Sequence, residues 1–534
     1  MENKINKIQL IWFAKQNGSI KFLWVALILV LSFLGLAKSS WAENFYIAQN
    51  QAGTNDGSTC ANARAVDWFN TTTNWANPKQ SGKIGPGDTA HLCGTISTSL
   101  MVRGSGAAGN PVIILFESNA KLSAPTWTGA WWGVEGAIQA NNVNYIILDG
   151  GSNGVIEATN SGTNLQQVGS MGVMFAGVSN SEIKNLTINN MYVRTSTAGE
   201  DGGGCGIYIS AGSNNSIHDN RISETQTAIV YVYPQGGLSE NIKIYRNTIN
   251  RINWGIILGE SDINALADNV QIYSNDIGDM YNWDDPENNF HHDGIYAFAE
   301  AEGDKVTNLK VYNNYIHGDM GLHITAMIFS SGNVINPLYF NNVLVNTGTN
   351  GISNGFIRGV IGSRIYNNTF IDHGTSMGID TEPGSDIKNN LFYNNTVPVA
   401  VHQPVDTSTH SDYNILFYTG EMYMVTFVPV TGNGLFYSLA DWRKTFNLDL
   451  NSLTGDPLLV RPDIVSGNYH LQASSPAINS GMNLASYCAD TPELCLDKDG
   501  KPRPQSAAWD IGAYEYVPGS DTTPPAAPTG LSVR

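Results

Sequence analysis

The chain has 534 residues, enough for several ordinary domains, yet only 14% of them are charged and 55 are Gly. Its formal net charge is −18, and loss of residues 1–42, with five Lys and one Glu, would take it to −18 − 4 = −22. That balance argues against nucleic acid and anionic membranes as partners, and mildly against a polyanionic polysaccharide unless Ca²⁺ bridges the two.

The N-terminus carries Lys4, Lys7, Lys15 and Lys21, an apolar run over Phe22–Leu36, and then Ser40-Trp41-Ala42. Basic region, apolar region and small residues three and one before a cut form a secretory signal peptide, with cleavage expected after Ala42. The apolar run has 15 residues, short of the ~20 a spanning helix needs. A secreted, periplasmic or cell-surface protein with no membrane span after cleavage is therefore expected. Exported proteins pair their cysteines. Cys60 and Cys93 lie near the start of the mature chain, Cys488 and Cys495 near its end, so bridges 60–93 and 488–495 are expected, with Cys205 a small buried thiol.

Residues 43–125 read as an N-terminal cap, with a strand at Phe45-Tyr-Ile-Ala and a short helix within Asp67–Trp75. From residue 126 to 440 a short phrase recurs. It reads Ile183-Lys-Asn185-Leu, Ile217-His-Asp-Asn220-Arg-Ile, Ile244-Tyr-Arg-Asn247-Thr-Ile, Ile272-Tyr-Ser-Asn275-Asp-Ile and Val311-Tyr-Asn-Asn314-Tyr-Ile. It continues as Leu338-Tyr-Phe-Asn-Asn342-Val, Ile365-Tyr-Asn-Asn368-Thr-Phe and Ile387-Lys-Asn-Asn390-Leu-Phe. The Asn-to-Asn steps are 35, 27, 28, 39, 28, 26 and 22 residues, the spacing of a coil with occasional insertions. Between the Asn turns the segments are β-branched and alternate, as after Gly206, Gly294 and Gly321, and no helical period intervenes. Parallel strands without crossover helices are joined if the chain coils on itself, each turn ~4.8 Å above the last. The fold class is thus all-β, a single-stranded right-handed parallel β-helix with a cap at each end. Ile207, Ile256, Ile295, Leu322 and Ile379, each directly after a Gly, are expected to form one inward column. The recurring Asn is a turn residue that tolerates left-handed backbone and can bond to its copy in the next coil.

The repeat resembles the right-handed parallel β-helix proteins, the architecture of pectate lyases and polygalacturonases, over roughly residues 45–516. Residues 441–516 contain Gly455-Asp456-Pro-Leu, Ser475-Pro-Ala-Ile-Asn479, Asp497-Lys-Asp499-Gly and Asp510-Ile-Gly-Ala-Tyr-Glu-Tyr516. This series resembles the C-terminal module called choice-of-anchor Q, which implies a closing element without chemistry of its own. Asp497, Asp499 and Asp510 then serve turns, Ca²⁺ being the one ion left open and no other cofactor implied. Ser438-Leu-Ala-Asp441-Trp442 should cap a short helix. The tail, residues 517–534, is Pro-rich and resembles a linker leading to the first strand of a fibronectin type III domain.

The two longest steps hold Glu200-Asp201-Gly-Gly-Gly204 and a loop ending His291-His292-Asp293-Gly294. Long loops on a rigid coil carry function. Outward positions near them are Tyr208, Ile257, Tyr296, His323 and Asp380, with Trp254, Trp283, Glu260 and Glu300 close by. Rings that stack on sugar C–H faces beside carboxylates suit a glycan. Asp293 and Asp319, one coil apart, resemble part of the Asn-Thr-Asp-Gly and Gly-Asp-Asp phrases of polygalacturonase-like hydrolases, although Met320 replaces the second acid. The catalytic candidates are Asp293, Asp319, His292 and His323. The substrate-binding candidates are Trp254, Trp283, Tyr296, Tyr208, Glu260, Glu300 and His291, and no metal ligand set is distinctive. The functions that fit are a monomeric glycoside hydrolase using paired carboxylates on a polysaccharide, a non-catalytic β-helix that binds cell-surface glycan, and a uronate lyase or epimerase.

Overall fold

The computed structural model describes residues 42–519 except 129–134, 196–202, 234–235, 260–262, 284–290, 323, 353, 429–431 and 464–466. Residues 1–41 of the expected signal peptide, the tail beyond 519, the Glu200-Asp201 segment, Glu260 and His323 lie outside the described residues. Almost every strand pairs in parallel with the strand one coil on. Each coil contributes three faces. Face 1 runs through Ser216–His218, Leu238–Tyr245, Leu266–Tyr273, Lys310–Tyr312, Leu338–Phe340, Arg364–Tyr366 and Asp386–Lys388. A turn leads to face 2, and a bend or loop then leads to face 3; in Arg221–Val232 and Thr248–Gly259 one long strand serves both. The chain is a parallel β-helix, right-handed as parallel crossovers are.

Face 3 sets the core register. Val173, Ile207, Ile229, Ile256, Ile295, Ile328, Ile357, Ile379 and Val399 are paired coil to coil and all are buried. Each such side chain contributes ~1.5–3 kcal/mol of burial. Leu322 is not among them: it is 59% exposed, and Ile328 fills the place opposite Ile295. The Gly before each residue explains the difference. Gly206, Gly255 and Gly294 lie where an added Cβ would meet a carbonyl oxygen of the next coil at 2.7, 2.2 and 2.5 Å. Gly321 instead has φ +78° and belongs to a turn, and the strand starts only at Ile324.

The Asn column is real but shifted by one residue at its start. The side chains of Asn220, Asn247, Asn275, Asn314, Asn342, Asn368, Asn390 and Asn414 form a continuous buried ladder. Each Oδ1 accepts from the backbone N and the Nδ2 of the preceding Asn, and each Nδ2 also donates to a face 1 carbonyl, as Asn275 does to Ile244 O at 3.0 Å. Leu186, not Asn185, occupies this position in the preceding coil and donates its N–H to Asn220 Oδ1. The left-handed residue is the one before the ladder: Asn185, Asp219, Arg246, Ser274, Asn313, Asn341, Asn367 and Asn389 all have φ near +55°.

Two helices close the tube. α1 (Val66–Asn70) buries Val66 and Phe69 at one end. α2 (Leu439–Phe446) is capped by the Ser438 hydroxyl, which accepts from Asp441 N, and sends Trp442 into the core at the other. The residues after 455 fold back along the outside. Leu484, Leu494 and Trp509 cover Tyr312, Phe340 and Tyr366 on face 1, while Leu459, Tyr469, Leu471 and Ile511 cover Val343, Ile371 and Leu391 on face 2. Disulfides join Cys60 to Cys93 and Cys488 to Cys495, and Cys205 is free and buried. No helix among the described residues is long and apolar enough to cross a membrane.

Candidate functional site

The face 3 side chains that point away from the core change character along the coil. One outward column runs Met174, Tyr208, Val230, Ile257, Tyr296, Phe329, Arg358, Asp380 and Ala400 in register. At its start Met174, Tyr208, Val230 and Ile257 join Cys205 and Trp254 in a buried apolar cluster. In its middle the Tyr296 and Phe329 rings stack 4.6 Å apart at 7°. Beyond them the column turns polar and opens a groove of about 760 Å³.

Four charged side chains from three successive coils meet in that groove. Alternation places Asp380 and Glu382 on the same side of one coil, and the register sets Arg358 beside Asp380 and His402 beside Glu382. Arg358 Nε is 3.3 Å from Asp380 Oδ2, and its Nη2 is 2.6 Å from Glu382 Oε1. From the opposite coil His402 Nε2 lies 3.1 Å from Asp380 Oδ1 and Nδ1 3.8 Å from Glu382 Oε1. Ala400 pairs directly with Asp380 in the next coil. Asp380 is buried and Glu382 partly exposed, so one acid lines the floor and the other the edge.

The predicted cluster at 291–293 assembles only in part. Asp293 is fully buried; its carboxylate bonds His291 Nδ1 at 2.5 Å and accepts from Ala326 N at 3.3 Å. Burial pushes the Asp293 carboxyl up, and the bond to Asp293 raises His291. The half-exposed His291 ring stands edge-on to Trp254 and Tyr296, at 5.7 and 5.9 Å between centroids, so this dyad borders the aromatic middle of the column. Asp319 is elsewhere: it sits on the turn after face 2, where its Oδ1 accepts from Gly321 N at 3.0 Å. His292 is buried and bonded to Asn253. Trp283 is buried against Tyr192 and donates to Arg251 O at 3.3 Å, so it supports a loop and offers no platform. Tyr208 is likewise buried. Glu300 is exposed and takes the Ser331 and Tyr296 hydroxyls.

Sequence reasoning placed Asp380 on the outward column but missed Phe329, Arg358, Glu382 and His402. Their signal was faint: Arg358, Asp380 and Ala400 are separated by 22 and 20 residues, and the charges alternate with buried Ile379, Thr381 and Val401. Among the described residues no group of three or more His, Cys, Asp or Glu is arranged to hold a metal ion.

No protein-family model matches the chain, and no curated protein matches it. Among solved structures it is similar to the pectate lyase Pel9A, at 13% identity and a TM-score of 0.44, over 89% of this chain and 97% of that one. A lacto-N-biosidase of family GH136 from Eubacterium ramulus aligns at 13% identity and a TM-score of 0.46, over 81% and 72% of the two chains. XylC in complex with xylose aligns at 11% identity and a TM-score of 0.45, over 88% and 98%.

Proposed function

We propose that the protein is an exported glycan-acting β-helix that lays a saccharide chain along face 3 and cleaves it with Asp380 and Glu382. The observation that carries this reading is the quartet in the groove: the carboxylates of Asp380 on a strand and Glu382 just past its end, held between a guanidinium and an imidazole, at the end of an aromatic strip. In the reaction one carboxyl delivers a proton to the leaving glycosidic oxygen while the other activates water or attacks the anomeric carbon. His402 lies beside both acids, 3.1 Å from Asp380 and 3.8 Å from Glu382, without a hydrogen bond to either. Arg358 fixes both carboxylates in place before the substrate arrives, and Tyr296 and Phe329 supply apolar surface for a sugar ring. The Asp293–His291 dyad borders the same strip, where it can accept hydroxyl hydrogen bonds. Two disulfides in a chain of five Cys fit the oxidising compartment that the N-terminal sequence implies.

One observation favours binding without cleavage: Arg358 contacts both carboxylates, as a purely recognitive cluster would have it do. A panel of neutral and uronate polysaccharides, incubated with the protein with and without Ca²⁺, separates the readings. Hydrolysis releases reducing ends without ultraviolet absorbance from unsaturated uronate, and a lyase releases both. Asp380→Asn and Glu382→Gln should each lower turnover by about a hundredfold or more while retaining glycan binding. Retention of full turnover by both variants would remove the assignment of these acids.

A further inference from the structure

A second cavity, of about 360 Å³, opens on a different side of the molecule, at the seam where the folded-back C-terminal segment meets face 2. Its walls are three tyrosines, Tyr315 from the coil and Tyr469 and Tyr514 from the C-terminal segment, with Arg461, His470 and Lys498 between them. The aromatic rings are braced from outside the cavity or within its wall: Tyr315 stacks on His317 at 4.0 Å, and Tyr514 lies 4.0 Å from His470. His470 is turned by hydrogen bonds to Asn468 and, at 2.8 Å, to Asp499.

Lys498 is the informative residue. Its ammonium donates to the Asn313 carbonyl and makes no ion pair among the described residues. Desolvation pushes it down to about 8, against the pull of Asp499 and Asp276. Lys498 is partly buried, a desolvated ammonium is favoured where something neutralises it, and this residue lines a cavity walled by rings. Lys498 and Arg461 both line this cavity, on a chain of net charge −18 that would otherwise repel an anion.

We propose that this seam cavity is a second binding site, independent of the groove on face 3, for a single acidic sugar unit. The sugar carboxylate pairs with Lys498, and the apolar face of the ring lies on Tyr315 or Tyr514. The Tyr469 hydroxyl oxygen, whose proton goes to Asp463 O, can accept from a sugar hydroxyl, so charge and ring faces carry most of the recognition. A neutral hexose has the same ring but lacks the charge, so it tests the role of the ammonium directly.

The full chain is titrated with glucuronate and, separately, with glucose, and binding is followed by saturation-transfer NMR. Glucuronate should bind at least tenfold more tightly than glucose. Lys498→Gln, which keeps a donor for the Asn313 carbonyl, should weaken glucuronate tenfold or more, Lys498→Arg should weaken it less, and Asp380→Asn should leave it unchanged. In the unmodified protein glucuronate should also slow acylation of Lys498, read by peptide mass mapping, and this holds the proposal to account if Lys498→Gln fails to fold. Equal binding of the two sugars, unchanged affinity in Lys498→Gln, loss in Asp380→Asn, or no protection of Lys498 would each overturn it.

Discussion

Asn275 shows how much of the coil hangs on one side chain. It sits 1% exposed with its Oδ1 accepting two hydrogen bonds from Asn247 and its Nδ2 donating to Asn314 and Ile244. Truncation leaves groups on two neighbouring coils without partners, each costing ~1–3 kcal/mol. Asn275→Ala should therefore lower unfolding free energy by about 3 kcal/mol or more, measured by urea titration. The Asn column was legible in the sequence because a side chain that bonds its own copy recurs once per coil. Its geometry was not, since the left-handed strain falls on the preceding residue, whose identity varies from Asp219 to Arg246 to Ser274. Asp219 also gives a pH prediction. Arg246, and then His218, hold its carboxyl down to about 2, below its ordinary 3.8, against the opposing effect of burial. Because the folded value is the lower one, the stabilisation is present above about pH 3.8 and is lost as pH falls toward 2. Asp219→Asn should flatten the fall in Tm across that window.

At the scale of the element, the doubled Asn-Asn of the later coils has a separate meaning. Where the first Asn of the pair occurs, at 313, 341, 367 and 389, it meets the folded-back C-terminal segment. Lys498 Nζ donates to Asn313 O, Asn341 Nδ2 donates to Leu496 O at 2.8 Å, and Asn367 Nδ2 donates to Asp510 O at 3.0 Å. Asn389 exchanges two bonds with Met482, at 2.9 and 2.7 Å. The earlier coils carry Asn185, Asp219, Arg246 and Ser274 there, so Asn is the rule only along the covered stretch. Asn367→Ala with Asn389→Ala should loosen this segment, and limited proteolysis should then cut beyond residue 455 before it cuts the coil. Strand periodicity and both helices were readable from local patterns. The docking track was not, because its partners lie 93 to 185 residues apart. The same limit explains Leu322: its Gly looked like those at 206 and 294, and only the next coil shows that Gly321 turns the chain.

For the whole molecule, a solenoid leaves three long outer surfaces, and each must be covered, charged or used. The C-terminal segment covers parts of faces 1 and 2. Face 3 keeps an aromatic strip and a charged groove, which is where the proposed site lies. The sequence placed Tyr296 and Asp380 on one outward column, as the register has them, whereas Asp319, chosen for its nearness to a long loop, lies on the turn after face 2. The location of the bound glycan tests this account most directly. Hydrogen–deuterium exchange of the full chain, with and without the polysaccharide that the panel selects, should show protection in Ile324–Gly332, Ile357–Arg358, Met377–Thr381 and Val397–His402. Protection confined to Cys205–Ser210 and its neighbours, or to residues beyond 455, would contradict it.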